Sequence, residues 1–193
     1  MTDIGSLVAA LDDAEPNERA RALAGLVEAG PAATRALVAK LRSSDPSSRP
    51  QVAQALAEIG DSRAEDVYRE LVDDPDPAVR GRGAQGLATI GSPVALKALV
   101  RTIDDLPDVL HYPATVATYA LIQLGPRAAP AVASLLIAPD PATRDRAVLV
   151  LHTLAGRLPA TEELMAALGR YRAAASEAER MAAAEEIAGL VHS

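Results

Sequence analysis

The sequence predicts an all-α fold, a right-handed α-solenoid of about five antiparallel helix pairs followed by a C-terminal capping helix pair. Three recurring features predict it. Glycine recurs about every 31 residues, an acidic residue followed by Pro recurs between these glycines, and Leu recurs near the end of each repeat. We expect one domain, with repeats at about 1-30, 31-60, 61-91, 92-125 and 126-156 and a cap at 157-193.

The second helix of a repeat is predicted to begin at the acidic residue and Pro. Asp at an N-cap accepts hydrogen bonds from free amides, and Pro at the first helical position has no amide to leave unpaired. With Arg three residues after Pro, the pattern occurs at Glu15-Pro16-Arg19, Asp45-Pro46-Arg49, Asp76-Pro77-Arg80 and Asp140-Pro141-Arg144. Gly at the far end indicates a helix stop.

The second helices share an apolar register. Leu lies four residues before the closing position, at Leu26, Leu56, Leu87, Leu121 and Leu151, where Ala155 replaces the last closing Gly. Five and eight residues before that position, most residues are Ala or Gly, which predicts close helix packing. First helices are predicted in AATRALVAKLRS, RAEDVYRELVDD, VALKALVRTIDD and RAAPAVASLLIA. Since one such pair cannot bury its apolar faces alone, we expect neighbouring pairs to stack.

The segment GRGAQG places Gly81, Gly83 and Gly86 in the spacing of a dinucleotide-binding loop. That loop needs a strand before it, whereas the residues before Gly81 read DDPDPAVR, which favours a turn. Gly83 and Gly86 also occupy the small positions of the repeat. We therefore interpret them as close-packing positions rather than as a phosphate site.

The composition restricts the function classes. The chain has 19 Lys and Arg against 26 Asp and Glu, and its net charge of −7 argues against general nucleic-acid binding. It has no Cys, Phe or Trp. Its longest apolar run, around APAVASLLIA, is shorter than the roughly 18 residues of a membrane helix. We expect a cytoplasmic protein that has no nucleic-acid or membrane partner.

The stretch DPDPAVRGRGAQGLATIGSPVALKALVRTI resembles a HEAT repeat of the short bacterial, phycobilisome-lyase type. The resemblance covers about residues 1-156 and implies an interaction scaffold, although some members are lyases, hydroxylases or DNA glycosylases. It also implies a structural role, a ladder between repeats, for the Asp and Arg of each turn: Asp45, Asp76, Asp140, Arg49, Arg80 and Arg144.

Enzymatic signatures of this family and of common folds are missing from the sequence. It has no His-Glu dipeptide for an iron site, no P-loop, no nucleophile elbow and no zinc spacing. The adjacent carboxylates at the ends of first helices are interpreted as solvated turn residues. We expect no catalytic residues, no metal and no cofactor.

A partner is predicted to bind the concave face, which the second helices line in HEAT solenoids. Positions nine, six and two residues before the closing position lie on one helix face. The predicted binding row comprises Arg21, Gln51, Gln54, Arg82, Gln85, Tyr119, Gln123 and Arg146. Long hydrogen-bond donors and an aromatic residue suit another protein or peptide, possibly an acidic one, while ordinary solvent-facing surface explains the row equally well.

The fourth repeat departs from the pattern. It is longer by about three residues, has Ala114 at the Arg position, and places His111 and Tyr112 in an irregular turn. We interpret these two residues as further partner-binding candidates, with a tolerated loop insertion as the alternative. The sequence therefore favours a non-catalytic adaptor. A lyase-like or chaperone-like accessory factor for a prosthetic group or client protein is the second hypothesis.

Overall fold

A computed structural model describes residues 3–13, 15–43, 48–107 and 110–192. These residues form helices and turns, and their one β interaction is an isolated bridge between Pro107 and Thr115. The predicted all-α class is confirmed. The chain folds as two compact parts, the N-terminal half (Met1–Ala98) and the C-terminal half (Leu99–Ser193), and each is described by itself.

The N-terminal half consists of helix pairs. The helices are α1 (Ile4–Ala10), α2 (Pro16–Ala29), α3 (Thr34–Ser43), α4 (Arg49–Ile59), α5 (Glu65–Leu71) and α6 (Pro77–Thr89), with 3₁₀ turns at Gly30–Ala32 and Ser62–Ala64. Helix α1 packs on α2, α3 on α4 and α5 on α6. The second helices α2, α4 and α6 also pack in succession, which is the predicted stacking of pairs.

The C-terminal half begins within α7 (Ala95–Arg101). Its further helices are α8 (Val116–Leu124), α9 (Ala129–Ala133), α10 (Pro141–Leu154), α11 (Thr161–Ala173) and α12 (Glu177–His192), with 3₁₀ turns at Gly125–Ala128, Ser134–Ile137 and Ala155–Arg157. Helix α10 packs on α8 and α9, and α12 packs on both α11 and α9. At the start of α12, the Glu179 amide donates to the Ser176 hydroxyl (3.2 Å) and the Ser176 amide to the Glu179 carboxylate (3.1 Å), forming a capping box.

The helix ends follow the predicted turn chemistry. Helices α2, α6 and α10 begin at a Pro, and the carboxylates of Asp76 and Asp140 accept from the second amide of their helices at 2.8 and 3.3 Å. Asp45 lies outside the described residues. The closing residues Gly30, Gly60, Gly91 and Gly125 all have positive φ, between 58° and 75°. These four positions therefore end their helices as predicted.

The Leu register forms the core of both halves. The five predicted residues, Leu26, Leu56, Leu87, Leu121 and Leu151, are each at most 1% exposed. The small residues around them are buried as well, among them Ala22, Ala55, Ala117 and Ala147. The sequence periodicity therefore identified the buried face of the second helices correctly.

Gly83 and Gly86 lie where α6 packs closely against α5. A Cβ atom on Gly83 would lie 2.7 Å from Leu71 Cβ and 2.8 Å from the Val72 amide nitrogen, and one on Gly86 would clash with the Tyr68 ring. The Tyr68 side chain is fully buried, and its hydroxyl donates to the Leu56 carbonyl of α4 at 2.6 Å. Because the glycines lie inside α6, their amides serve the helix, so the packing interpretation is confirmed.

The turn arginines have structural roles. Arg80 donates to the carbonyls of Asp74 (3.1 Å) and Pro75 (3.0 Å), and Arg144 does the same to Ala138 (2.6 Å) and Pro139 (2.7 Å). Arg49 instead pairs with the buried Asp74 carboxylate of the next repeat. Arg49 thus forms the contact between repeats that the resemblance implies, whereas Arg80 and Arg144 bind the turn that precedes their own helix.

One stretch of the described residues, Val116–Ile137, is long and apolar enough to cross a membrane by length and composition. It spans 22 residues of the C-terminal half, and 44% of its apolar window is buried inside the protein. The core helix of a soluble protein meets the same criterion. The absence of a membrane partner therefore stays a prediction.

Candidate functional site

The N-terminal part of the predicted binding row lies on α2, α4 and α6. On α4, the Gln54 amide donates to the Glu58 carboxylate at 2.8 Å, and on α6, Arg82 donates to the Gln85 side-chain oxygen at 2.8 Å. Burial lowers the pKa of Arg82, and the negative charge of Glu58 acts in the opposite direction. Gln51 is half-buried on the same face, and Arg21 is exposed on α2, where it pairs with Glu18. This surface is polar and carries both signs of charge.

The binding row of the C-terminal half differs from the prediction at one residue. Tyr119 (45% exposed) and Gln123 lie on the exposed side of α8 as expected. The Arg146 side chain is only 8% exposed and pairs with Asp104 at 2.6 Å, while Asp104 also accepts from Thr143 at 2.7 Å. The expectation that Arg146 faces solvent is wrong, because the turn after α7 covers it and supplies its carboxylate partner.

The irregular turn of the fourth repeat exposes its apolar and aromatic side chains. Leu110 is 84% exposed, Tyr112 is 67% exposed, and His111 is exposed between them. The turn is anchored at its end by Thr115, whose buried hydroxyl donates to the Ile103 carbonyl at 2.9 Å and caps α8. The irregular turn is therefore anchored at Thr115, while Tyr112 is exposed to solvent.

Tyr112 forms one wall of a cavity of about 420 Å³ in the C-terminal half, which we call the Tyr112 pocket. The first half of α10 forms its floor, with Val148 and Leu149 as apolar contacts. The cap contributes Tyr171 and Arg172 from the end of α11 and Arg180 from the first turns of α12. The irregular turn, a second helix and the cap thus meet at one place.

The charges in the Tyr112 pocket are unequal. It is lined by three arginines, Arg144, Arg172 and Arg180, and by one acidic residue, Asp145. The Tyr112 hydroxyl donates to Asp145 at 3.1 Å, and this hydrogen bond raises the pKa of Tyr112. The pocket is therefore cationic, although the chain as a whole is acidic.

Tyr171 supports the pocket from below. Its side chain is 5% exposed, and its hydroxyl donates to the Leu136 carbonyl. Burial raises the pKa of Tyr171, while the positive charges of Arg144 and Arg180 oppose that rise. Both guanidinium groups are thus near enough to the tyrosine for their charges to act on its hydroxyl.

A second cavity, of about 430 Å³, lies between the cap helices α11 and α12. Alanine side chains form much of its lining, and its arginine, Arg170, pairs with Glu186 at 2.6 Å. Because this charge is neutralised within the cavity wall, the second cavity offers less to a charged ligand than the Tyr112 pocket does.

The described residues contain no cluster of three or more His, Asp or Glu side chains that could hold a metal ion. Helix α10, which forms the floor of the Tyr112 pocket, supplies Arg, Asp and apolar side chains, and its Asp145 accepts the hydrogen bond of the Tyr112 hydroxyl.

Comparison with known proteins agrees with the paired-helix architecture. The family described as HEAT repeats matches residues 4–64 and 34–118. The chain belongs to the HEAT-repeat family. No curated protein matches this HEAT-repeat chain.

Three solved structures are similar to this HEAT-repeat protein, each at 21% identity. The complex of CpcE and CpcF of phycocyanin lyase from Nostoc sp. PCC7120 has a TM-score of 0.53, over 95% of this chain and 75% of that chain. Two engineered proteins of the Northeast Structural Genomics Consortium have TM-scores of 0.45 and 0.42, over 100% and 98% of this chain and 97% and 58% of theirs. At this identity the phycocyanin lyase likeness shows the fold alone.

Sequence reasoning identified Tyr112 but missed the residues that surround it. Arg172 and Arg180 belong to the C-terminal helix pair, which the sequence indicated only as the cap of the repeats. A weak signal was present, since the cap segment GRYRAAASEAER concentrates arginine in an acidic chain.

Proposed function

We propose that this HEAT-repeat protein is a non-catalytic adaptor that binds a partner protein mainly through its C-terminal half. The distribution of exposed apolar side chains supports the proposal. Among the described residues, all six large apolar side chains that are exposed belong to this half: Leu110, Tyr112, Tyr119, Ile137, Met165 and Met181. Tyr and Met are enriched in protein interfaces, and these six side chains give the C-terminal half exposed apolar groups that a partner would cover.

The polar row of the N-terminal half is proposed as a second contact. Gln54, Arg82 and Gln85 form side-chain hydrogen bonds among themselves and with Glu58, so they are already oriented on the surface of α4 and α6. Ordered polar groups lose less side-chain entropy when a partner binds. Arg146 is not part of the proposed contact, since it is buried.

A lyase-like or chaperone-like accessory factor is the second candidate, and one observation favours it. The Tyr112 pocket, at about 420 Å³, is within the range of about 300–1,000 Å³ that small-molecule sites occupy. Its cationic lining suits an anionic prosthetic group as well as a peptide. An accessory factor would retain such a group in a stoichiometric complex, whereas an adaptor would retain a protein.

Photo-crosslinking from defined positions tests the adaptor proposal. A benzoyl-phenylalanine side chain replaces Tyr119 on α8 in one variant and Gln85 on α6 in another, and each is irradiated in extract of the native cell. We expect both positions to yield a crosslink to the same protein, identified by mass spectrometry, because each lies in one of the two proposed contacts. Arg35, exposed on the first helix α3, is the control position.

A crosslinked partner from Tyr119 and none from Arg35 would support the binding face. Equal labelling from all three positions would indicate non-specific contact and contradict the proposal. A crosslink from Tyr119 without one from Gln85 would remove the N-terminal row from it and leave the C-terminal half as the contact surface.

A further inference from the structure

We propose that the Tyr112 pocket binds an acidic segment of the partner protein, in which carboxylate side chains alternate with apolar ones. This inference rests on the proposed adaptor function and adds the chemistry of the partner. The carboxylates bind the arginines at the rim of the pocket, and an apolar side chain packs on the α10 floor. The partner is thus recognised by charge pattern together with one apolar contact.

The three arginines of the pocket differ in the hydrogen bonds that their guanidinium groups form. Arg144 donates through one nitrogen to the turn carbonyls of Ala138 and Pro139, which fixes its position. The guanidinium groups of Arg172 and Arg180 have no hydrogen-bonded or ion-paired partner among the described residues. Arginine binds carboxylates in bidentate geometry, so these groups are available for anionic oxygen atoms.

The pocket's only acidic residue does not cancel this charge. Asp145 accepts the hydrogen bond of the Tyr112 hydroxyl, so its carboxylate is directed toward the tyrosine wall. Three arginines against one carboxylate leave the pocket positive in a chain whose net charge is −7. An acidic ligand is therefore attracted to the Tyr112 pocket, whereas the net negative charge of the protein repels it from the rest of the surface. The charge complementarity is limited to the pocket.

The Tyr112 pocket also has an apolar lining. Leu149 of α10 and Pro113 of the irregular turn line the pocket and are half-buried, whereas Val148, which also lines it, is buried. A simple inorganic anion would leave Leu149 and Pro113 in contact with water. An apolar side chain placed next to a carboxylate covers them, and Tyr112 encloses it from the exposed side.

Other surfaces are less suited to the same ligand. In the cap cavity, Arg170 is already paired with Glu186. In the N-terminal row, Arg82 donates to Gln85 and is close enough to Glu58 for the carboxylate to affect its pKa. Only in the Tyr112 pocket, among these three surfaces, do unpaired arginines and apolar side chains occur together.

Isothermal titration calorimetry and NMR with two synthetic peptides test the inference. The probes are acetyl-Glu-Leu-Glu-Leu-Glu-amide and the same peptide with Gln in place of each Glu. We expect the Glu peptide to bind with a dissociation constant about ten-fold lower than that of the Gln peptide, because charge-assisted hydrogen bonds to arginine are lost with Gln. The Glu peptide should also shift the Nε–H resonances of Arg172 and Arg180.

A charge-matched pair of variants locates the effect. Arg172→Gln with Arg180→Gln removes two positive charges from the pocket, and Lys97→Gln with Arg127→Gln removes two exposed positive charges elsewhere. We expect the first variant to weaken binding of the Glu peptide about ten-fold, and the second to change it less than about two-fold. Circular dichroism melts verify that both variants fold.

Equal binding of the two peptides, absence of binding, or equal losses in the two variants would overturn the inference. The crosslinked partner distinguishes a failure of the acidic-segment inference from a failure of the adaptor proposal. If the partner crosslinked at Tyr119 binds the Arg172→Gln, Arg180→Gln variant as tightly as the wild type, the adaptor proposal stands and the acidic-segment inference is wrong. If no partner is crosslinked at all, the adaptor proposal itself fails.

Discussion

Replacing Gly83 by Ala is expected to lower the free energy of unfolding by about 2 kcal/mol. Alanine improves helix propensity by about 1 kcal/mol, which alone would stabilise α6. The added Cβ atom would lie 2.7 Å from Leu71 Cβ, 2.8 Å from the Val72 amide nitrogen and 2.9 Å from the Leu71 carbonyl carbon. Since two of these atoms are backbone, α5 must move away from α6, and overpacking of this kind costs about 1–3 kcal/mol or more.

The matched control is Gly169→Ala. Gly169 lies within α11, where the added Cβ atom would have no contact within 4 Å. We expect this variant to gain up to about 1 kcal/mol through helix propensity alone. Urea unfolding followed by circular dichroism measures both changes. If Gly83→Ala were stabilised as much as Gly169→Ala, the close approach of α5 and α6 would be contradicted.

Replacing His111 and Tyr112 together by Ala is expected to weaken binding of the crosslinked partner at least about 30-fold. Exposed aromatic residues at a pocket edge are typical hot spots, and their truncation costs about 2 kcal/mol or more. The melting temperature should change by only about 1–2 °C, because both side chains are exposed and the base of the turn is held by Thr115. Surface plasmon resonance with the purified partner measures the affinity.

The control for this double variant is Arg35→Ala with Arg42→Ala, two exposed residues of α3. It should retain the wild-type affinity. A large loss of thermal stability in the His111→Ala, Tyr112→Ala variant, with normal binding by the folded protein, would show that the irregular turn has a packing role instead.

The regular features of the fold could be predicted because they depend on residues close together in sequence. Asp76 caps α6 through an amide two residues away, and Gly91 adopts its positive φ within a single turn. The burial of Leu56 and Leu121 follows from helical periodicity, which is also local. For these elements a repeating pattern in the sequence is sufficient.

The candidate site could be predicted only in part, because it depends on contacts between distant segments. The position of Arg146 within its repeat predicts that it lies on an exposed face. In the structure Arg146 is buried and donates a hydrogen bond to Asp104, which lies 42 residues earlier in the sequence. Tyr112 could be predicted as a candidate because its repeat departs from the sequence pattern. Arg172 and Arg180 line the same pocket only because the cap helices pack on α9 and α10. No spacing rule in the sequence relates these residues.

Amide hydrogen exchange with and without the crosslinked partner tests most directly whether the C-terminal half is the binding face. We expect the partner to slow exchange in the irregular turn and in α8, the first half of α10, and the α11–α12 connection, because these segments surround Tyr119 and the Tyr112 pocket. Unchanged exchange in these segments, with protection confined to the first helices α3 and α5 of the N-terminal half, would contradict the account.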